Sequence, residues 1–124
     1  MASEDNIQKV SIPANTDLSA SQYCFVTVNS SGRLALTADA GEADGVLQDK
    51  PDAAGRVGSL GISGVTKVKL GGTVTAGDDV ASGASGVAVI AATGDVVNGR
   101  ALESGTSGTI ISILLKAAGH NALA

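Results

Sequence analysis

Aromatic side chains are almost missing from this chain. Its 124 residues include no tryptophan, and Tyr23 and Phe25 are the only two rings. A core must therefore be assembled from valine, isoleucine, leucine and alanine, which together with the few other apolar residues make up 44% of the sequence. Each fully buried Val or Leu contributes roughly 1.5–3 kcal/mol, and the 17 glycines add backbone entropy without adding burial. A single subunit of this composition is expected to be weakly stabilised, and self-association is one remedy for so thin a core.

Other absences exclude whole classes of function. With Cys24 as the only cysteine, neither an intrachain disulfide nor a cysteine metal cluster can form. The one histidine, His120, stands close to the C-terminus in a stretch that reads as a loose tail, a poor place to hold a general base. No apolar run approaches the roughly 18 residues of a membrane span. "MASEDNIQKV" has neither the basic start nor the apolar centre of a secretory signal, so synthesis in a reducing cytoplasm is expected. No Gly-Lys dipeptide occurs, which removes the phosphate loop, and Gly58, Gly61 and Gly64 recur at intervals of three rather than as G-x-G-x-x-G. The net charge is −4 with scattered carboxylates, and Lys67 and Lys69 are the only local basic feature, so no nucleic-acid surface is expected.

What the sequence does contain is short aliphatic runs broken by turn residues. "QYCFVTV" (22–28) alternates as a strand, with Cys24, Val26 and Val28 on one face and Tyr23, Phe25 and Thr27 on the other. "NSSGR" is then a turn and "RLALT" the returning arm of a hairpin. "ADAGEADG" reads as a loop or one helical turn, and "GVLQD" as a short strand stopped by "KPDAAG". "RVGSLGISG", "VTKVKL", "TVTAGDDV", "GVAVIAA", "VVNGRALE" and "TIISILLK" follow as further strand-sized runs. The β-branched residues Ile110, Ile111 and Ile113 favour strand over helix in the last of these. The fold class expected is all-β, a small Gly-rich β-barrel or β-sandwich (tulip-like) domain over 18–116. An extended N-terminal arm (1–17) precedes it, and a loose C-terminal tail (117–124) follows.

No constellation of reactive groups stands out. Asp78-Asp79 and the Glu42/Asp44 pair follow glycines or flank them, where turn chemistry prefers acidic residues. No catalytic, cofactor-binding or metal-binding residue is assigned, and the protein is expected not to be an enzyme. "VKLGGTVTAGDDVA" looks like the turn of biotinyl and lipoyl carrier barrels. Those carriers, however, modify a lysine at a hairpin tip, and Lys67 and Lys69 lie inside a strand-like run.

Taken in order, the phrases resemble a family. "DLSASQYCFVTVNSSGRLAL", "AGEADGVLQDKPDAAGRVGSLGISGVTKVKLGGTVTAGDDV", "GVAVIAATGDVVNGRALESG" and "GTIISILL" are similar to the capsid decoration, or cement, proteins of tailed bacteriophages, from Asp17 to Leu115. The resemblance implies a small β-rich virion protein that joins the outside of the expanded head and braces neighbouring major capsid protein subunits. It further implies a homotrimer, made in the host bacterial cytoplasm, whose extended N-terminal arm pairs with strands of the major capsid protein. Neither nucleic acid nor membrane is implied as a partner. Within the arm, Ile7, Val10, Ile12 and Pro13 are the candidate shell-contact residues, because spaced aliphatics in a polar arm need burial somewhere. A carrier barrel and another head-fibre or tail component are the alternatives.

Overall fold

The computed structural model describes residues 5–115. Nine strands follow one another: β1 (Asp5–Pro13), β2 (Phe25–Val28), β3 (Leu34–Leu36), β4 (Gly45–Leu47), β5 (Val57–Lys69), β6 (Asp79–Ser82), β7 (Ala88–Ile90), β8 (Gly99–Ala101) and β9 (Ile110–Leu115). A single 3-10 turn, Ala84–Gly86, lies between β6 and β7. Every pairing between these strands is antiparallel. Eight strands form one curled half-barrel in the order β3-β2-β4-β5-β9-β8-β6-β7, and β1 pairs with β5 off that path. The all-β expectation holds, and the open choice between sandwich and barrel resolves as a curled single sheet.

The long strand β5 joins the two halves. Leu60 is flanked by Val10 of β1 and Leu47 of β4, Gly61 by Lys9 and Val46, and Val65 by Asp5 and Leu114 of β9. "RVGSLGISG" and "VTKVKL" were expected as two strands, and they are one, because Gly61 and Gly64 do not end the pairing. Gly61 serves a close approach: a Cβ built there would lie 2.6 Å from Gln48 Nε2 and 2.7 Å from Ile7 Cδ1. Gly45, the chain neighbour of Val46, is constrained by the same strand: a Cβ added there would run into the Gly61 carbonyl oxygen.

Alternation along β2 and β4 feeds two cores. Phe25 and Val46 face inward with Val68, Leu70, Val74, Val80, Ile111 and Ile113, forming the cluster enclosed by the curled sheet. Their neighbours Val26 and Leu47 point to the other face, where Ala14, Leu18, Leu34 and Leu60 complete a second cluster. A sheet buried on both faces explains why a chain with only one Phe and one Tyr can still hold its strands: almost every aliphatic in β2 and β4 is used.

"QYCFVTV" is a strand only from Phe25 onward. Tyr23 adopts a left-handed backbone (φ 66°) and is held there on both sides. Its N–H donates to the Leu47 carbonyl at 2.7 Å, and its carbonyl accepts from Lys69 N–H at 2.9 Å, tying β4 to the far end of β5. Cys24 beside it is buried. The "ADAGEADG" stretch is a loop, and "TIISILLK" forms β9 over Ile110–Leu115.

Candidate interaction surface

The N-terminal segment expected as an extended arm forms β1 over Asp5–Pro13, laid along β5. From Lys9 to Pro13 the register is regular, each residue stepping once against Gly61 to Val57. Between Asp5 and Lys9 the register shifts twice, around Gln8. Irregularities of this kind re-aim side chains, and here Ile7 is brought over Gly61 and the Gln48 amide. On its other edge β1 has no strand neighbour among the described residues.

The four candidate contact residues are thus not equivalent. Ile12 stands opposite Gly58 and packs against the second core cluster, and Pro13 opposite Val57 closes the ladder. Val10, opposite the buried Leu60, remains 38% exposed. Ile7 is half-buried over Gln48.

Gln48 was not singled out in the sequence, although its spacing from Val46 puts it on the same inward face. It is 92% buried, being only 8% exposed. Its Nε2 donates to the Val46 carbonyl and to Thr66 Oγ1, both at 2.9 Å, while its Oε1 has no hydrogen-bond partner among the described residues. A buried acceptor left unmatched costs about 1–3 kcal/mol. Ile7 Cδ1 and the donor end of this amide meet at Gly61, in the space that a side chain there would fill.

A second exposed apolar group lies on the outer face of the C-terminal half. Leu114 of β9 is 43% exposed between Val65 and Arg100, and Ile110, opposite Lys69, is 44% exposed. Arg100 pairs with Asp79 across the β8–β6 ladder at 3.4 Å. Lys67, expected on the solvent face of a strand, stands 5.6 Å from the centroid of the Tyr23 ring, and Lys69 is exposed.

The acidic turns are structural. Asp78 Oδ2 accepts from Thr75 N–H and Asp95 Oδ2 from Ala92 N–H, each at 2.9 Å. The reciprocal backbone bonds, Asp78 N–H to the Thr75 carbonyl and Asp95 N–H to the Ala92 carbonyl, close both turns. Gly77 and Gly94, each at φ 91°, supply the left-handed third position that a type II turn requires. The phrases "TAGD" and "TGD" are therefore one turn used twice. Burial pushes the Cys24 thiol up from its ordinary value, against a smaller opposing influence of Lys69. His120 lies outside the described residues, and among the described ones no three His, Cys, Asp or Glu side chains converge as a metal set.

The geometry defines a class by its architecture, a curled all-β half-barrel with a strand-forming N-terminal segment and exposed edges. No family model matches the sequence, and no curated protein matches it. Among solved structures, the base of the head fiber gp8.5 from bacteriophage phi29 is similar, with a TM-score of 0.69 at 18% identity. The match covers 89% of this chain and 94% of that one. At this identity the likeness is one of fold.

Proposed function

We propose that the chain is a structural virion protein of a tailed bacteriophage, one that binds the outside of the expanded head and stabilises it by bracing neighbouring major capsid protein subunits. The observation that carries this reading is a fold shared over 89% of the chain with a phage head-fiber base, in a sequence whose phrases resemble decoration proteins. The physical features agree with it. A thin aliphatic core suits a protein that gains stability from neighbours, and an N-terminal strand whose second edge has no strand neighbour among the described residues suits strand addition. In a homotrimer, three arms and three basal surfaces combine weak contacts through high effective concentration.

The likeness to a fiber base favours a second reading, in which the module seats an appendage on the head without bracing it. Both readings predict head binding. Any binding to the folded shell raises its melting temperature by mass action; only bracing also predicts that cross-linking joins one copy of the protein to two neighbouring capsid subunits. A carrier-barrel role is disfavoured, because Lys67 and Lys69 lie in the interior of β5 and its end rather than at a hairpin tip.

The arm is tested by truncation. Removal of residues 2–8 is expected to abolish shell binding while leaving the domain folded, because Ile12 and Pro13 stay in place. Removal through Pro13 strips Ile12 from the second core cluster and is expected to lower stability as well. Undiminished binding after the shorter truncation would overturn the role of the arm.

A further inference from the structure

Asn98, immediately before β8, is 4% exposed and fastens the loop that joins β3 to β4. Its Oδ1 accepts from Ala43 N–H and its Nδ2 donates to the Gly41 carbonyl, both at 3.1 Å. The same loop is tied to β2 on its other side. There Thr27 Oγ1 donates to the Glu42 carbonyl at 3.0 Å, and Val28 N–H donates to Asp44 Oδ2 at 2.7 Å. The loop is thus a strap from β2 to β8, and the Asn98 amide holds its β8 end with both polar atoms matched.

The residue that follows is Gly99. A Cβ there would lie 2.8 Å from Ile113 Cδ1 and 2.9 Å from the Leu114 carbonyl oxygen, so the packing of β8 on β9 demands glycine. Glycine is also the residue that least hinders attack of its own backbone nitrogen on the preceding asparagine side chain. In the fold the two groups are kept from reacting. Asn98 N–H donates to the Val80 carbonyl at 2.9 Å, Gly99 pairs with both Val80 and Leu115, and the side-chain amide is committed to the loop. Ring closure requires rotation about the Asn98 backbone and side-chain bonds, and these contacts oppose both.

We propose that Asn98 is a deamidation site that the fold keeps closed, and that its reaction, once the loop lifts from β8, frees the strap irreversibly. The Gly99 nitrogen bonds to Asn98 Cγ, the Cγ–Nδ2 bond breaks, and the amide leaves as ammonia with the proton from the Gly99 nitrogen. Water then opens the cyclic imide at either carbonyl, giving aspartate or, with the main chain rerouted through Cβ, isoaspartate. A water is consumed, an ammonia is released, and nothing is oxidised or reduced. An aspartate at this position still accepts from Ala43 N–H, but its second oxygen faces the Gly41 carbonyl, acceptor against acceptor in a buried place. Isoaspartate in addition lengthens the main chain at the entry to β8.

The test incubates the full chain at mildly alkaline pH in native buffer and in guanidinium. The Asn98 peptide is then followed by mass and by chromatography that separates aspartate from isoaspartate. Reaction in native buffer is expected to be at least about tenfold slower than in guanidinium, as for any process that waits on local opening. Asn98→Asp, made directly, should speed hydrogen exchange at Ala43 N–H by at least about tenfold. If that variant does not fold, the ratio of rates alone decides. Equal rates in the two buffers, no reaction at Asn98 in guanidinium, or unchanged Ala43 exchange in a folded Asn98→Asp overturns the proposal. No shell is involved, so the virion reading stands or falls separately.

Discussion

Gln48 Nε2 donates to Thr66 Oγ1 at 2.9 Å in the interior of the half-barrel, joining β5 to the residue that follows β4. Thr66 is fully buried and Gln48 nearly so. With Oε1 unpaired among the described residues, this bond is one of two that the amide donates to them, the other running to the Val46 carbonyl. Thr66→Val keeps the shape and removes the acceptor. It is expected to destabilise the fold by about 1–3 kcal/mol, the cost of leaving a buried donor short of a partner. Urea denaturation should show a lower midpoint with an unchanged slope.

Glycines of similar appearance should respond in opposite ways to alanine. A Cβ at Gly45 runs into the Gly61 carbonyl oxygen, which is backbone and cannot swing aside, so Gly45→Ala is expected to cost more than about 3 kcal/mol or to prevent folding. Gly72 has nothing within 4 Å of an added Cβ and no positive φ, so Gly72→Ala should leave stability unchanged or raise it by about 0.4–1 kcal/mol. Thermal melts of the two variants side by side check the contrast.

Cys24 should report on unfolding. It is 3% exposed and its thiol is pushed above the ordinary range by burial, so at neutral pH it lacks both access and thiolate. A disulfide reagent is expected to label it at the rate of opening in native buffer and immediately in denaturant. Rapid labelling of the folded protein would show that the segment around Tyr23 and Cys24 opens freely.

Asp17 gives the fold a pH dependence of known sign. The Ser19 hydroxyl at 2.7 Å, and then the Ser19 N–H at 2.9 Å, hold its carboxyl below the usual aspartate value. A carboxyl lowered in the folded state contributes its stabilisation above the unfolded pKa of about 3.9, and loses it as pH falls through the folded value. Asp17→Asn should therefore reduce the difference in melting temperature between neutral and strongly acidic buffer. No change in that difference would contradict the assignment.

The sequence disclosed the punctuation better than the connections. The hairpin of β2 and β3 and the Gly-Asp turns follow from local chemistry, since alternation and a left-handed glycine position act over four to eight residues. Tyr23 sits in the middle of an alternating run, and nothing local requires its left-handed backbone; two long-range bonds, to Leu47 and Lys69, do. Gly61 read as a strand breaker because the groups that exclude its Cβ, Gln48 and Ile7, are distant in sequence. The spacing of Ile7, Val10 and Ile12 pointed to burial, but the irregular pairing around Gln8, which sends Ile7 to Gln48 and Ile12 to the second core, leaves no mark in the sequence.

The central claim is head binding, and co-sedimentation of the purified protein with empty shells of its phage measures it most directly. The account predicts saturable binding to expanded shells, little to unexpanded ones, and a higher melting temperature for the decorated shell. Equal binding to both forms, or binding to neither, would contradict it.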